Sequence, residues 1–146
     1  MILLSRRGHL ALAAVVDIAI HARPLPLAAK ALAVRLELPP RHLEGLLQSL
    51  VHANILKGVR GPRGGYQLAR ERRRITAASV LRAVSGAGGD EEPRCRLVKQ
   101  LVAPIVEAAG KAFLDELETI TIDDICRRAE DLQLGDEKNV GADFTI

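Results

Sequence analysis

The stretch VRGPRGGYQL, residues 59–68, constrains this chain more than any other. Six residues from Arg60 to Gly65 hold three glycines, one proline and two arginines between strand-forming ends. Gly61, Gly64 and Gly65 tolerate positive φ without a steric cost and Pro62 fixes its own φ, so the spacing predicts a tight hairpin tip. The flanking strands are expected over residues 55–59 and 66–69. Arg60 and Arg63 are the only side chains in the interval with long reach. Each is permanently charged and carries a planar fork of donors suited to phosphate or base edges, so an anionic partner is expected.

Composition narrows the rest. A chain of 146 residues is long enough for one core, and with aromatics at 2% that core must be aliphatic and alanine-rich. The net charge of +3 hides an asymmetry: residues 1–85 carry 14 Lys+Arg against 4 Asp+Glu (+10), and residues 86–146 carry 7 against 14 (−7). This pattern points to a polyanion-binding front and an acidic rear. Two cysteines, Cys95 and Cys126, are too few for a disulfide scaffold and lack C-x-x-C spacing, so a reducing cytoplasmic setting is expected. The apolar run after Arg6-Arg7 is interrupted by Asp17 and is too short to span a bilayer, so it reads as a buried helix and no membrane partner is expected.

Along the chain, Ser5 can cap a first helix to about residue 22, ended by Pro24 and Pro26. A short second helix is expected over residues 27–36, with Leu27, Ala31, Leu32 and Leu36 on one face. Pro39 and Pro40 suit the start of a third helix, whose apolar face is Leu43, Leu46, Leu47, Leu50 and Val51. Its other face holds Arg41, His42, Glu44, Gly45, Gln48 and Ser49, and Asn54 can end it in the left-handed region. Thr76 can cap a fourth helix, and residues 85–93, SGAGGDEEP, read as a flexible link where the charge changes sign. Beyond it a long stripe through Leu97, Leu101, Ile105, Ala108, Ala109, Ala112, Phe113 and Leu117 is expected to kink or divide at Pro104. Thr121 and Asp124 form a capping box for a last helix, with Ile122, Ile125 and Ala129 facing inward. The fold class is therefore mainly α with a small β-hairpin, in the order of a winged helix-turn-helix. The expected division is a winged helix-turn-helix domain over residues 1–86, a helical dimerisation region over 94–134, and a mobile tail over 135–146. The stripe needs a cover, and pairing with a symmetry mate supplies one.

The lead into the first helix, the LEGLLQSLVHANIL helix, the VRGPRGGYQLAR wing and the ITAASVLRAVSG segment together resemble the bacterial winged helix-turn-helix regulators of the IscR, CymR and NsrR type. The most specific feature is the family's RGxxGGY, matched from Arg60 to Tyr66. The resemblance implies a homodimeric transcription factor, often a repressor, with its third helix in the major groove and its wing by the minor groove. The DNA-contacting residues it implies are Arg41, His42 and Glu44 on the helix and Arg60, Gly61, Pro62 and Arg63 on the wing. Arginine suits the enhanced negative potential of a narrow minor groove, and a carboxylate can accept from cytosine N4. The expected partners are an operator duplex, a second copy of the chain, and a regulatory protein or small-molecule effector.

The sensor departs from the resemblance. Cluster-bearing relatives place three closely spaced cysteines after the wing domain to hold an iron-sulfur cluster, and here that segment has Cys95 alone. His9, near the start of the first helix, is the one candidate for a further ligand, and the set falls short of a cluster site. Cys95, between Arg94 and Arg96, is the better candidate for a redox sensor, against the simpler reading of an inert thiol. Arg72, Arg73 and Arg74 can grip phosphates beyond the wing or merely be solvated. Two other classes remain: a winged-helix protein-interaction module without DNA binding, and a thiol enzyme, for which no nucleophile-base pattern is present.

Overall fold

The computed structural model describes residues 5–85 and 95–134. Ser85, where the expected link begins, is the last residue of a helix; the rest of the link and the expected tail lie outside these residues. Among the described residues, six α-helices and one hairpin follow in order: α1 Arg6–His21, α2 Ala29–Arg35, α3 Pro40–His52, β1 Leu56–Val59, β2 Gly65–Leu68, α4 Ala77–Ser85, α5 Ala103–Glu118 and α6 Ile122–Asp131. A 3₁₀ turn, Arg72–Arg74, lies between β2 and α4.

Local chemistry sets most of these boundaries. The Ser5 hydroxyl accepts from the Gly8 N–H at 3.1 Å and starts α1. Thr76 does the same for the Ser79 N–H at 3.1 Å and starts α4. Asn54, at φ 58°, ends α3 in the left-handed region. At α6 the capping box is complete: the Thr121 Oγ1 accepts from the Asp124 N–H at 3.1 Å and the Asp124 carboxylate accepts from the Thr121 N–H at 2.9 Å. That bond to the backbone, with the Thr121 side chain, holds the Asp124 pKa below its ordinary value of 3.8. A carboxylate with a depressed folded pKa stabilises the fold above its unfolded value and stops doing so as pH falls through the folded one. Loss of the Thr121 cap bond in Thr121→Ala is expected to cost about 1 kcal/mol in urea unfolding at neutral pH. The difference between wild type and Asp124→Ala should shrink when the same measurement is made below the ordinary carboxylate range.

The core is aliphatic. Its centre is α1, which buries Ala11, Ala14, Val15, Ile18 and Ala19 against Leu32 of α2, Leu43, Leu47 and Leu50 of α3, and Val80 and Val84 of α4. Small residues along α1 let its neighbours approach closely. The chain returns to this core after α5. The Ala77 N–H donates to the Ile120 carbonyl and the Ile122 N–H to the Ile75 carbonyl, each at 2.8 Å, so Ile122 and Cys126 join the cluster around α1.

Two expectations are corrected. Leu27 does not begin α2; it forms an antiparallel bridge with Tyr66, donating at 2.9 Å and accepting at 2.8 Å. The reason is that Tyr66, on the outer edge of β2, presents both backbone groups unpaired to β1, and the extended segment after Pro26 satisfies them. In α2 itself Ala31 is exposed and Ala33 is buried beside Leu32. Pro104, in turn, does not divide its helix, which stays helical through it. The turn before it widens to a π-helix over Val98–Val102, in which the Ala103 N–H reaches the Val98 carbonyl five residues back. The wider turn accommodates the donor that proline lacks and lets the helix run on into α5.

Candidate nucleic-acid interface

β1 and β2 pair Leu56 with Leu68, Lys57 with Gln67, Gly58 with Tyr66 and Val59 with Gly65, which leaves residues 60–64 as the tip of the wing. The turn closes by a Gly64 N–H to Gly61 carbonyl bond of 2.9 Å, with Gly61 at φ 117°. A side chain at Gly64 would put its Cβ 2.2 Å from the Val59 carbonyl oxygen. The tip exists in this form because these positions lack side chains. Tyr66 is half-buried and packs against the core beneath the wing. Arg60, Gly61, Pro62 and Arg63 all lie exposed at the tip.

The second element is the first part of α3. Leu43, Leu46, Leu47 and Leu50 are buried, which turns Arg41, His42, Glu44, Gly45 and Gln48 to solvent. No side chain caps the helix start and no acidic residue stands in its first turn, so the positive end of the helix dipole is unopposed there. Ser49, on the same polar face in sequence, is drawn inward: Arg7 of α1 donates to its Oγ and to the Val84 carbonyl, both at 3.3 Å. α2 is tied to α1 by Arg35, whose Nε donates to the Asp17 carboxylate at 2.9 Å, and His21 shares that carboxylate at 3.1 Å. These contacts fix the angle between the helix pair α2–α3 and the scaffold. Two further exposed cations, Lys30 on α2 and Lys57 on β1, stand out in the structure. Lys57 could have been found from strand alternation, since its neighbour Leu56 is buried.

The arginine run after the wing behaves differently from a phosphate grip. Arg72 is bound to the buried carboxylate of Asp123 at 2.7 Å, and Arg127 holds the other oxygen at 2.9 Å. Only Arg73 and Arg74 remain well exposed.

The sensor candidates are placed apart in chemistry. His9 is exposed on α1. Cys95 is exposed, its carbonyl accepting from the Lys99 N–H at 3.0 Å, while Arg96 donates to Gln100 at 3.0 Å. Cys126 is fully buried, and burial pushes its thiol pKa up against the opposing pull of Arg72. One exposed and one buried thiol do not make the three-thiolate set of an iron-sulfur cluster, and among the described residues no group of three His, Cys, Asp or Glu side chains could hold a metal ion. A native alkylation assay is expected to modify one thiol per chain quickly and the second only after denaturation. Cys95→Ser should remove the fast phase.

Comparison with known proteins places this geometry in a family. The Rrf2 family model, described as iron-dependent transcriptional regulator, matches residues 4–128. The protein rrf2 of Nitratidesulfovibrio vulgaris is 31% identical over 132 residues, covering 86% of this chain and 88% of that one. The structure of T. potens IscR superposes with a TM-score of 0.72 at 32% identity, covering 89% of this chain and 90% of the other. CymR, the global cysteine regulator of B. subtilis, superposes with a TM-score of 0.64 at 26% identity, covering 86% and 96%. Two further regulators align over only 55% and 50% of their own lengths. With a winged helix-turn-helix, an arginine-tipped wing and a family match over most of its length, the chain belongs to the Rrf2 family of DNA-binding transcriptional regulators.

Proposed function

We propose that the chain works as a homodimeric, sequence-specific repressor that occupies an operator through α3 and the wing of each copy and answers to a redox, sulfur-metabolism or metabolite signal. The observation that carries this reading is α5. It buries none of its own residues, and Ile105 is 63% exposed. Leu97, Leu101, Val102, Val106 and Phe113 are likewise exposed on the same continuous helix. A contiguous apolar face of this kind on a chain with a well-formed core elsewhere is an association surface. A two-fold dimer through it presents two α3 helices and two wings to neighbouring half-sites, and occupancy of both blocks transcription. Arg41, His42 and Glu44 serve the major groove, and Arg60 and Arg63, with the close backbone approach of Gly61 and Pro62, serve the minor groove. Cys95, exposed at the start of the helix that runs into α5, is where a thiol signal would reach the dimer.

A gel shift on the promoter of its own operon is the test. The logarithm of affinity should fall with that of salt by about 0.9 per phosphate neutralised. Arg60→Ala should weaken specific binding by about 1–3 kcal/mol. A flat salt response with no shift at low salt would instead favour a protein-interaction module.

A further inference from the structure

A second basic feature lies away from the wing. Arg23, just after α1, Arg72 and Arg73 of the 3₁₀ turn, and Arg127 of α6 line an open cleft of about 360 Å³ with Glu71 and Asp123. Four guanidinium groups meet two carboxylates there. Asp123 is spent: its side chain is 9% exposed, and its two oxygens are taken by Arg72 and Arg127. That buried carboxylate clamps the two guanidiniums in place, and each keeps further N–H donors, since an arginine carries five. Glu71 is 65% exposed and stands 3.8 Å from Arg73, a weak solvated pair. The Arg23 side chain has no hydrogen bond or ion pair among the described residues.

We infer that this cleft binds a small polyanion bearing two phosphate or carboxylate groups. Preset arginines with spare donors match such groups in paired geometry, and the cleft is of small-ligand size. A DNA backbone fits less well. α6, one wall of the cleft, also carries Asp124, Glu130 and Asp131, so a long phosphate strand passing there would meet like charge, whereas a compact anion need contact only the arginines. The occupant would bridge Arg23, on the segment leading into α2, to Arg127 on the helix that follows α5. It would thereby join the DNA-reading half to the half that carries the apolar face.

Inorganic pyrophosphate and citrate are the probes, titrated calorimetrically into the full chain without DNA at constant ionic strength. Wild type is expected to bind pyrophosphate or citrate in the millimolar range or tighter, and Arg23→Ala with Arg73→Ala to weaken that binding about tenfold or more. Both side chains are exposed and neither anchors Asp123, so the double variant should keep its melting temperature. No heat with either probe, or equal binding by the double variant, overturns the proposal. So does a loss of DNA affinity in the double variant with a salt slope lower by about two, which would make these arginines a clamp for the duplex backbone. Because the titration contains no DNA, its result stands whether or not the operator reading survives.

Discussion

A Leu101→Asp, Ile105→Asp variant is expected to be a folded monomer that binds operator DNA about a hundredfold or more weaker than wild type. The two side chains are 55% and 63% exposed, and neither α5 nor the π turn before it buries a residue, so aspartate at either position displaces no core contact within the chain. In the proposed dimer the same positions lie in the apolar seam. Each buried Leu or Ile contributes about 1.5–3 kcal/mol there, and the two-fold doubles the count. Replacement removes that term and sets carboxylates into an apolar contact, where desolvating a charge is costly. The loss in DNA affinity then follows from avidity, since a monomer engages one half-site and gives up the high effective concentration of the second. Sedimentation velocity reads the mass, circular dichroism the fold, and a gel shift the affinity. A variant that remains dimeric, or a wild type that is monomeric at micromolar concentration, would remove α5 as the interface.

Gly65→Ala should cost about 2–4 kcal/mol of stability and disable the wing. A Cβ at this position would stand 2.3 Å from the Leu27 carbonyl oxygen and 2.8 Å from the Ala28 nitrogen. These are backbone atoms, so no side-chain rotation relieves the overlap and the segment 26–28 must move away. That movement opens the Leu27–Tyr66 bridge, with its bonds of 2.9 and 2.8 Å, and exposes the floor on which Tyr66 packs. Thermal unfolding reads the stability loss, and a fall in DNA affinity accompanies it because Arg60 and Arg63 lose their fixed base. Gly58 on the paired strand is the control. Nothing lies within 4 Å of a Cβ built there, so Gly58→Ala should change stability by no more than about 0.5 kcal/mol.

Much of the candidate interface was legible from residue order. Arg41, His42 and Glu44 were placed on the outer face of α3 by the leucine period, and the observed burial of Leu43, Leu46, Leu47 and Leu50 agrees. The caps at Ser5, Thr76 and Thr121 were legible for the same reason: each involves a side chain and a backbone N–H three residues apart. From residue order Arg72 reads as a phosphate grip or a solvated cation, because its partner, Asp123, lies some fifty positions away on a different helix. Nothing in the alternation of polar and apolar residues marks Asp123 as a buried anion.

The amino-acid order alone determined the helices, the glycine-bound wing tip, the arginines upon it and the division of charge along the chain, because each depends on backbone sterics or on neighbours within one turn. Tertiary structure alone decided that Leu27 edges the wing, that α6 returns to the core through Ile75 and Ile122, that Cys126 is sealed while Cys95 is open, and that arginines from three separate elements converge on one cleft. Those outcomes depend on which distant backbone and side-chain groups are left unsatisfied when the chain doubles back, and pairing between remote partners leaves no periodic trace in the residues that make it.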